Sequence, residues 1–252
     1  MNVNNDPNVQ IIRIWKQGCI GFIQLLRPQE ANAYNQALLT ELDQALEQME
    51  GDDEIHNIVI TGSGNRSFCA GADLNEIQGK DYSVALNLKS AKIFARIARC
   101  SKVTLAAING AAVGGGLELA LACDIRIAAD NARFFFPEPL LGLIPAAGGT
   151  QRLPQIVGIA RAKELVLGGR IWDAADAFRV GLVSEVTSAD KLLPRAQEWG
   201  EEIAKRNPLS LHLAKRAIDA GAENTLGYSF EAVAEALLYQ LRLKKQDNKD
   251  SS

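Results

Sequence analysis

The chain is poor in histidine: 252 residues contain two, His56 and His212. A histidine-ligated metal centre or a Ser-His-Asp triad therefore has little material, and no metal site is expected. The four cysteines, Cys19, Cys69, Cys100 and Cys123, form no CxxC pair and read as reduced thiols of a cytoplasmic protein. Basic charge is not in excess, since 27 Lys+Arg against 30 Asp+Glu leaves −3. With no basic-aromatic interleave either, nucleic acid is not expected as a partner. No apolar run is long enough to span a bilayer, and no membrane is expected. The first residues, MNVNNDPNVQIIRIW, lack the basic and apolar regions of a secretory signal. Motifs are missing too. GSGNRS has no GK[ST] of a P-loop, GAAVGGG opens no dinucleotide-binding unit, and no GxSxG elbow occurs.

What remains is 47% hydrophobic, enough for a full core in one large domain or a domain with a small appendage. Residues 9–15 and 20–26, joined at Gln17-Gly18, predict a β-hairpin. Asn35 is a good N-cap for a helix carrying Leu38, Leu39, Leu42, Leu46 and Met49 at helical spacing. Residues 55–61 and 103–108 predict buried strands. A helix is expected from Asp73 irregularly to Ala98, and others over 159–167 and 174–179, the last N-capped by Asp173. A strand or strand-like exit at 181–186 precedes helices at 189–205, 208–220 and 226–243. Strand, small-residue turn and helix recur loosely, which points to a spiral of ββα units rather than a doubly wound sheet. The change to all-helical sequence near residue 187 suggests a core over 1–187, a C-terminal helical region over 188–245 and a polar tail over 246–252.

The most informative stretch runs from Asn109 to Arg152. It holds two glycine turns, Gly114-Gly115-Gly116 and Gly148-Gly149, with Glu118 and Glu138 between them. Glycines that end a strand and open a helix present free N–H groups to negative charge, and a carboxylate one turn on stands beside that spot. This suits an active site with donors for a developing oxyanion and an acid/base alongside. The apolar neighbours of both glutamates would raise their pKa values. Taken singly, Glu118 reads more readily as a helix surface residue and Glu138 as a loop residue; together, flanked by the glycine turns, they read so less readily. The small-residue loop Ala70-Gly71-Ala72, by itself, reads as a tight turn.

Three segments in this order, FCAGADLNEI (68–77), AAINGAAVGGGLELALACDIRIAA (106–129) and PEPLLGLIPAAGGTQRLP (137–154), resemble the enoyl-CoA hydratase/isomerase (crotonase) family over nearly the whole chain. The resemblance implies an α/β, crotonase-like spiral of ββα units with a C-terminal helical trimerisation region, assembled as a homotrimer or dimer of trimers. It implies an acyl-CoA thioester as substrate, no separate cofactor because coenzyme A belongs to the substrate, and a place in fatty acid metabolism. Matching the motifs, Ala70 and Gly115 supply the oxyanion hole. Glu118 and Glu138 are the catalytic pair, which points to hydration of a 2-enoyl-CoA to the 3-hydroxyacyl-CoA. Ala31, Ala72, Asp73 and Leu74 lie along the nucleotide. Phe135 and Phe136 stand where relatives carry a small or polar residue, which implies a narrowed or dried acyl pocket, with Phe136 as substrate contact. Pro145-Ala146 replaces the usual Pro-Gly. Two alternatives stay open: another crotonase-type reaction on a thioester (isomerase, decarboxylase or hydrolase), and a non-catalytic acyl-CoA-binding protein.

Overall fold

A computed structural model describes residues 10–73, 76 and 88–223. The expected hairpin forms as β1 (Ile12–Gln17) and β2 (Ile20–Leu25), closed by the Gln17–Ile20 pair so that the turn sits at Gly18-Cys19. From there the chain winds as a spiral. The first strand of each turn joins one sheet and the second joins another: β3 (Asn57–Gly62) and β4 (Ser67–Cys69), β5 (Val103–Ile108) and β6 (Ala111–Val113), β7 (Ile125–Ala129) and β8 (Arg133–Phe135). Strands β9 (Trp172–Asp173) and β10 (Glu185–Thr187) complete a six-stranded sheet, β1-β2-β3-β5-β7-β10, and a four-stranded sheet, β4-β6-β8-β9. Successive turns pair in parallel within each sheet, β2 to β3 to β5 to β7 to β10 and β4 to β6 to β8.

The helices described are α1 (Gln36–Gly51), α2 (Lys89–Ala98), α3 (Gly115–Ala122), α4 (Gly149–Val157), α5 (Ile159–Val166), α6 (Ala174–Arg179), α7 (Leu192–Ala204) and α8 (Pro208–Glu223). The helix expected at 226–243, the polar tail, and most of the segment between Asp73 and α2 lie outside the described residues. Asn35 caps α1 as anticipated, its Oδ1 accepting the Leu38 N–H at 2.8 Å. Asp173 caps α6 in the same way through the Asp176 N–H at 2.8 Å. The expected strand near 181–186 is shorter and later, because Leu182 N–H is taken by the Ala177 carbonyl at the end of α6.

Side-chain alternation sorts the central strands onto two faces. Ile58, Ile60, Ala106 and Ile108 enter the main core with α1, α2 and α3, while Val59, Leu105 and Ala107 meet Leu192 and Ala196 of α7 on the other side. Helix α7 therefore belongs to the core that the spiral builds, although composition changes near residue 187. A second tie is the Asn57 Nδ2 bond to the Gly200 carbonyl at 2.9 Å. Helix α8 is fastened by a partly buried pair, Lys215 Nζ to Asp124 Oδ2 at 2.8 Å, with Asp124 also accepting the Thr104 N–H at 2.7 Å. Replacing Asn35 with Ala leaves the Leu38 N–H without its cap. Denaturant unfolding should show a loss of about 1 kcal/mol with an unchanged m-value.

Candidate active site

Helix α3 is apolar on every side, and each of its residues is buried. Glu118, in its first turn, is only 2% exposed, so its carboxylate must be satisfied by protein. The partners come from the second glycine turn: Oε1 accepts the Ala147 N–H at 2.7 Å and the Gly149 N–H at 2.8 Å. That turn needs glycine, because Gly148 has φ 108° and a side chain there would strike the Arg152 guanidinium. Arg152 in turn donates to the Ala147 carbonyl at 3.1 Å. The Gly148-Gly149 turn is thus a cradle for Glu118. Burial raises the Glu118 pKa, while the Gly149 and Ala147 N–H groups and the Arg152 charge pull against the rise.

Glu138 opens a 3-10 turn, Glu138–Leu141, straight after Pro137. Its carboxylate lies against the first glycine turn, where a Cβ on Gly114 would come within 2.5 Å of Oε1. Its Oε2 is buried and meets no hydrogen-bond partner among the described residues. Burial, with the Glu118 charge adding to it, pushes this carboxyl up to about 7. The two glutamates therefore differ in kind. One is held as an acceptor by two backbone donors, and the other is a neutral acid over much of the range below pH 7.

The loop after β4 completes the arrangement. Gly71 reaches the start of α3 so closely that a Cβ on it would lie 3.2 Å from the Gly115 nitrogen. Gly116 has no room for a side chain beside the Cys69 carbonyl. Hydrogen-bond accounting then identifies the free donor. Ala70 N–H is bonded to the Ala31 carbonyl at 3.1 Å and is not available to a ligand, which corrects the sequence expectation. Tyr34 pairs with the loop as an extra parallel bridge, its N–H bonded to the Gly71 carbonyl at 2.8 Å and its carbonyl accepting the Asp73 N–H at 2.9 Å. In that pairing the amide of Ala72 points away from Tyr34, and its N–H meets no acceptor among the described residues. Gly115, at the first position of α3, also has an N–H with no intrahelical acceptor. Among the described residues, the N–H groups left without an acceptor where the loop meets α3 include those of Ala72 and Gly115.

The other expected contacts divide. Ala31 is left-handed, with φ 51°, and its carbonyl serves Ala70. The neighbouring Asn32, with φ 56°, is buried and fixed by four bonds: its amide donates to the Ser63 and Ser67 carbonyls, and its Oδ1 accepts the Arg27 N–H and the Ser63 hydroxyl. Asp73 pairs with Arg27 at 3.1 Å, with side chains 13% and 8% exposed, so its carboxylate tethers two loops. Leu74 lies outside the described residues. Phe136 is 3% exposed and packs in the main core with Phe134, which leaves it almost no surface for a substrate. Sequence reading missed Arg27, Asn32, Tyr34 and Arg152. The signal available was a run of polar and aromatic side chains, RPQEANAYN, following directly on a buried strand.

The profile described as enoyl-CoA hydratase/isomerase matches residues 16–251. The chain belongs to the enoyl-CoA hydratase/isomerase family. This family member is 37% identical over 246 residues to a short-chain-enoyl-CoA hydratase of Clostridium acetobutylicum, covering 94% of the chain and 90% of that protein. It is 37% identical over 237 residues to a crotonyl-CoA hydratase of Syntrophomonas wolfei, covering 93% and 90%. A crystal structure of enoyl-CoA hydratase from Bacillus anthracis superposes with a TM-score of 0.87 at 37% identity, over 94% of the chain and 97% of that structure.

Two tests follow for this enoyl-CoA hydratase/isomerase family chain. Gly116→Ala drives a methyl into the Cys69 carbonyl, so it should lower the melting temperature and separate the two loops, read as lost activity in the fraction that stays folded. Glu138→Gln tests the raised carboxyl. A folded-state pKa of about 7 above an ordinary 4.5 means that native stability falls as pH rises from the lower value through the higher. The variant removes that loss, so its gain in melting temperature should be larger at about pH 8.5 than at about pH 5.

Proposed function

We propose that the chain adds water across the double bond of a 2-enoyl-CoA thioester, giving the 3-hydroxyacyl-CoA. The observation that carries this reading is the unequal pair of glutamates beside two unpaired N–H groups. The thioester carbonyl accepts from Ala72 and Gly115. Water sits between Glu118 and Glu138. Its oxygen bonds to Cβ as a proton passes to Glu118, and the π electrons of the alkene move into the carbonyl as an enolate. The enolate collapses as Glu138 gives its proton to Cα. A proton relayed from Glu118 to Glu138 through water restores the starting state. One oxyanion donor of this kind lowers a barrier by roughly 3–4 kcal/mol, so the amides matter as much as the acids. The coenzyme A portion runs past the backbone of Ala31 and Asp73.

Hydratase chemistry is favoured over isomerisation or thioester hydrolysis because both carboxylates are present and each is specifically environed. Two of the relatives named above carry the names short-chain-enoyl-CoA hydratase and crotonyl-CoA hydratase, which makes crotonyl-CoA the first substrate to offer. Self-association, as a trimer or dimer of trimers, is supported by large apolar side chains left open to solvent, among them Leu140, Ile144, Ile159, Leu167 and Phe178. A cytoplasmic setting is supported by the free cysteines, and no helix among the described residues is long and apolar enough to cross a membrane.

Crotonyl-CoA hydration, followed by loss of the enoyl absorbance, should be measurable in the wild type. Glu118→Gln and Glu138→Gln should each lower kcat by about a hundredfold or more. Wild-type activity in either variant would remove that residue from the mechanism. In the wild type, kcat/KM should fall as pH rises through about 7, where Glu138 loses the proton it must donate.

A further inference from the structure

Tyr34 is a buried aromatic residue that the reaction as written does not use. Its backbone brackets Ala72 on both sides, through the bonds to the Gly71 carbonyl at 2.8 Å and from the Asp73 N–H at 2.9 Å. Its side chain crosses to the other half of the site. The phenol oxygen occupies the space that a Cβ on Gly115 would fill. The Ser90 side chain, on the first turn of α2, stands next to the same hydroxyl. One turn further along that helix, Phe94 meets the Tyr34 ring edge-on, with centroids 5.7 Å apart and planes at 87°. Burial pushes the phenol well above its ordinary pKa, so it stays neutral beside the two glutamates.

One residue therefore touches both amide donors. The Gly115 peptide lies between the Tyr34 phenol on one side and Gly71 on the other, where a Cβ would be 3.2 Å from its nitrogen. The phenol bears on the Gly115 end of this pair, and Ser90 and Phe94 lie against the phenol. A phenylalanine would keep the ring and the edge-on contact but lose the hydroxyl beside Ser90 and the oxygen packed on Gly115.

We propose that Tyr34 is a positioning residue of the oxyanion hole, its hydroxyl locking Gly115 at the distance from Ala72 that a thioester carbonyl requires. This rests on the reading of Ala72 and Gly115 as the carbonyl donors. Displacing one oriented group by a fraction of an ångström is enough to cost catalysis while leaving overall binding nearly intact.

The test uses the full chain and 2,4-hexadienoyl-CoA, whose absorbance moves to the red when its carbonyl is polarised. Wild-type protein should bind it with a red shift. Tyr34→Phe should bind with an affinity within about twofold of wild type, show a smaller red shift, and hydrate crotonyl-CoA with kcat lowered about tenfold and KM little changed. A merely structural role would lower the melting temperature without moving the spectrum of the bound ligand. Ser90→Ala, which removes only the side-chain oxygen next to the phenol, should reduce the shift in the same direction and carries the test should Tyr34→Phe not fold. A full red shift with wild-type kcat in the variants would overturn the Tyr34 assignment alone. No red shift in the wild type would overturn the oxyanion-hole reading and Tyr34 with it.

Discussion

Three segments pack in direct contact: residues 31–34 pair with residues 70–73, the opening of α3 at residues 114–116 lies against residues 69–71, and the Tyr34 side chain reaches Gly115. The whole site depends on that approach. Gly116 can lie against the Cys69 carbonyl because it has no side chain, and Gly115 can lie against the Tyr34 phenol for the same reason. Hydrogen bonds then decide which amides are used up and which remain. Ala31 takes Ala70, Tyr34 takes the two peptides that flank Ala72, and the N–H groups of Ala72 and Gly115 are among those left without an acceptor among the described residues. Asn32, buried with four hydrogen bonds, and the Arg27–Asp73 pair keep the outer loop from drifting. Their contribution is specificity of placement as much as stability, since buried ion pairs rarely add much net free energy.

The same economy governs the acids. A carboxylate inside an apolar helix is unfavourable, and Glu118 is tolerated because the Gly148 turn aims two N–H groups at one of its oxygens. Glu138 has no such cradle. Its Oε2 has no partner among the described residues, and the unfavourable burial is relieved by keeping the proton. Two residues of one chemical type thus become a base-like acceptor and an acid by differences in their surroundings alone. The spiral makes this possible. It lays β6 and β8 side by side in parallel, so that the turn after β6 and the turn after β8 open at the same end of the small sheet.

Much of this was legible from the residues. The strand at 103–108, the strand expected at 55–61 and formed at 57–62, the caps at Asn35 and Asp173, and the recurrent strand-strand-helix winding follow from periodicity and turn chemistry, which are local. The glutamate pair and the first glycine turn were visible because their residue types are rare in an otherwise apolar stretch. The identity of the amide donor was not. Ala70 and Ala72 are chemically the same, and the choice between them is made by Ala31 and Tyr34, some forty positions earlier, through backbone bonds that leave no compositional trace. Phe136, expected as a substrate contact because it stands where relatives carry a small or polar residue, follows directly on β8 and packs in the main core with Phe134. Helix α7 looked like an appendage because composition changes before it, whereas Leu192 and Ala196 are needed to cover the far face of the large sheet.

The central claim is that water adds to the alkene while the thioester survives, and isotopes read this directly. Crotonyl-CoA is incubated with the protein in oxygen-18 water and, separately, in deuterium oxide, and the product is examined by mass spectrometry and NMR. The account predicts an intact CoA thioester bearing the heavy oxygen at Cβ and one solvent deuterium at Cα. Heavy oxygen in a released carboxylate, or solvent deuterium in a product whose double bond has only moved, would contradict it.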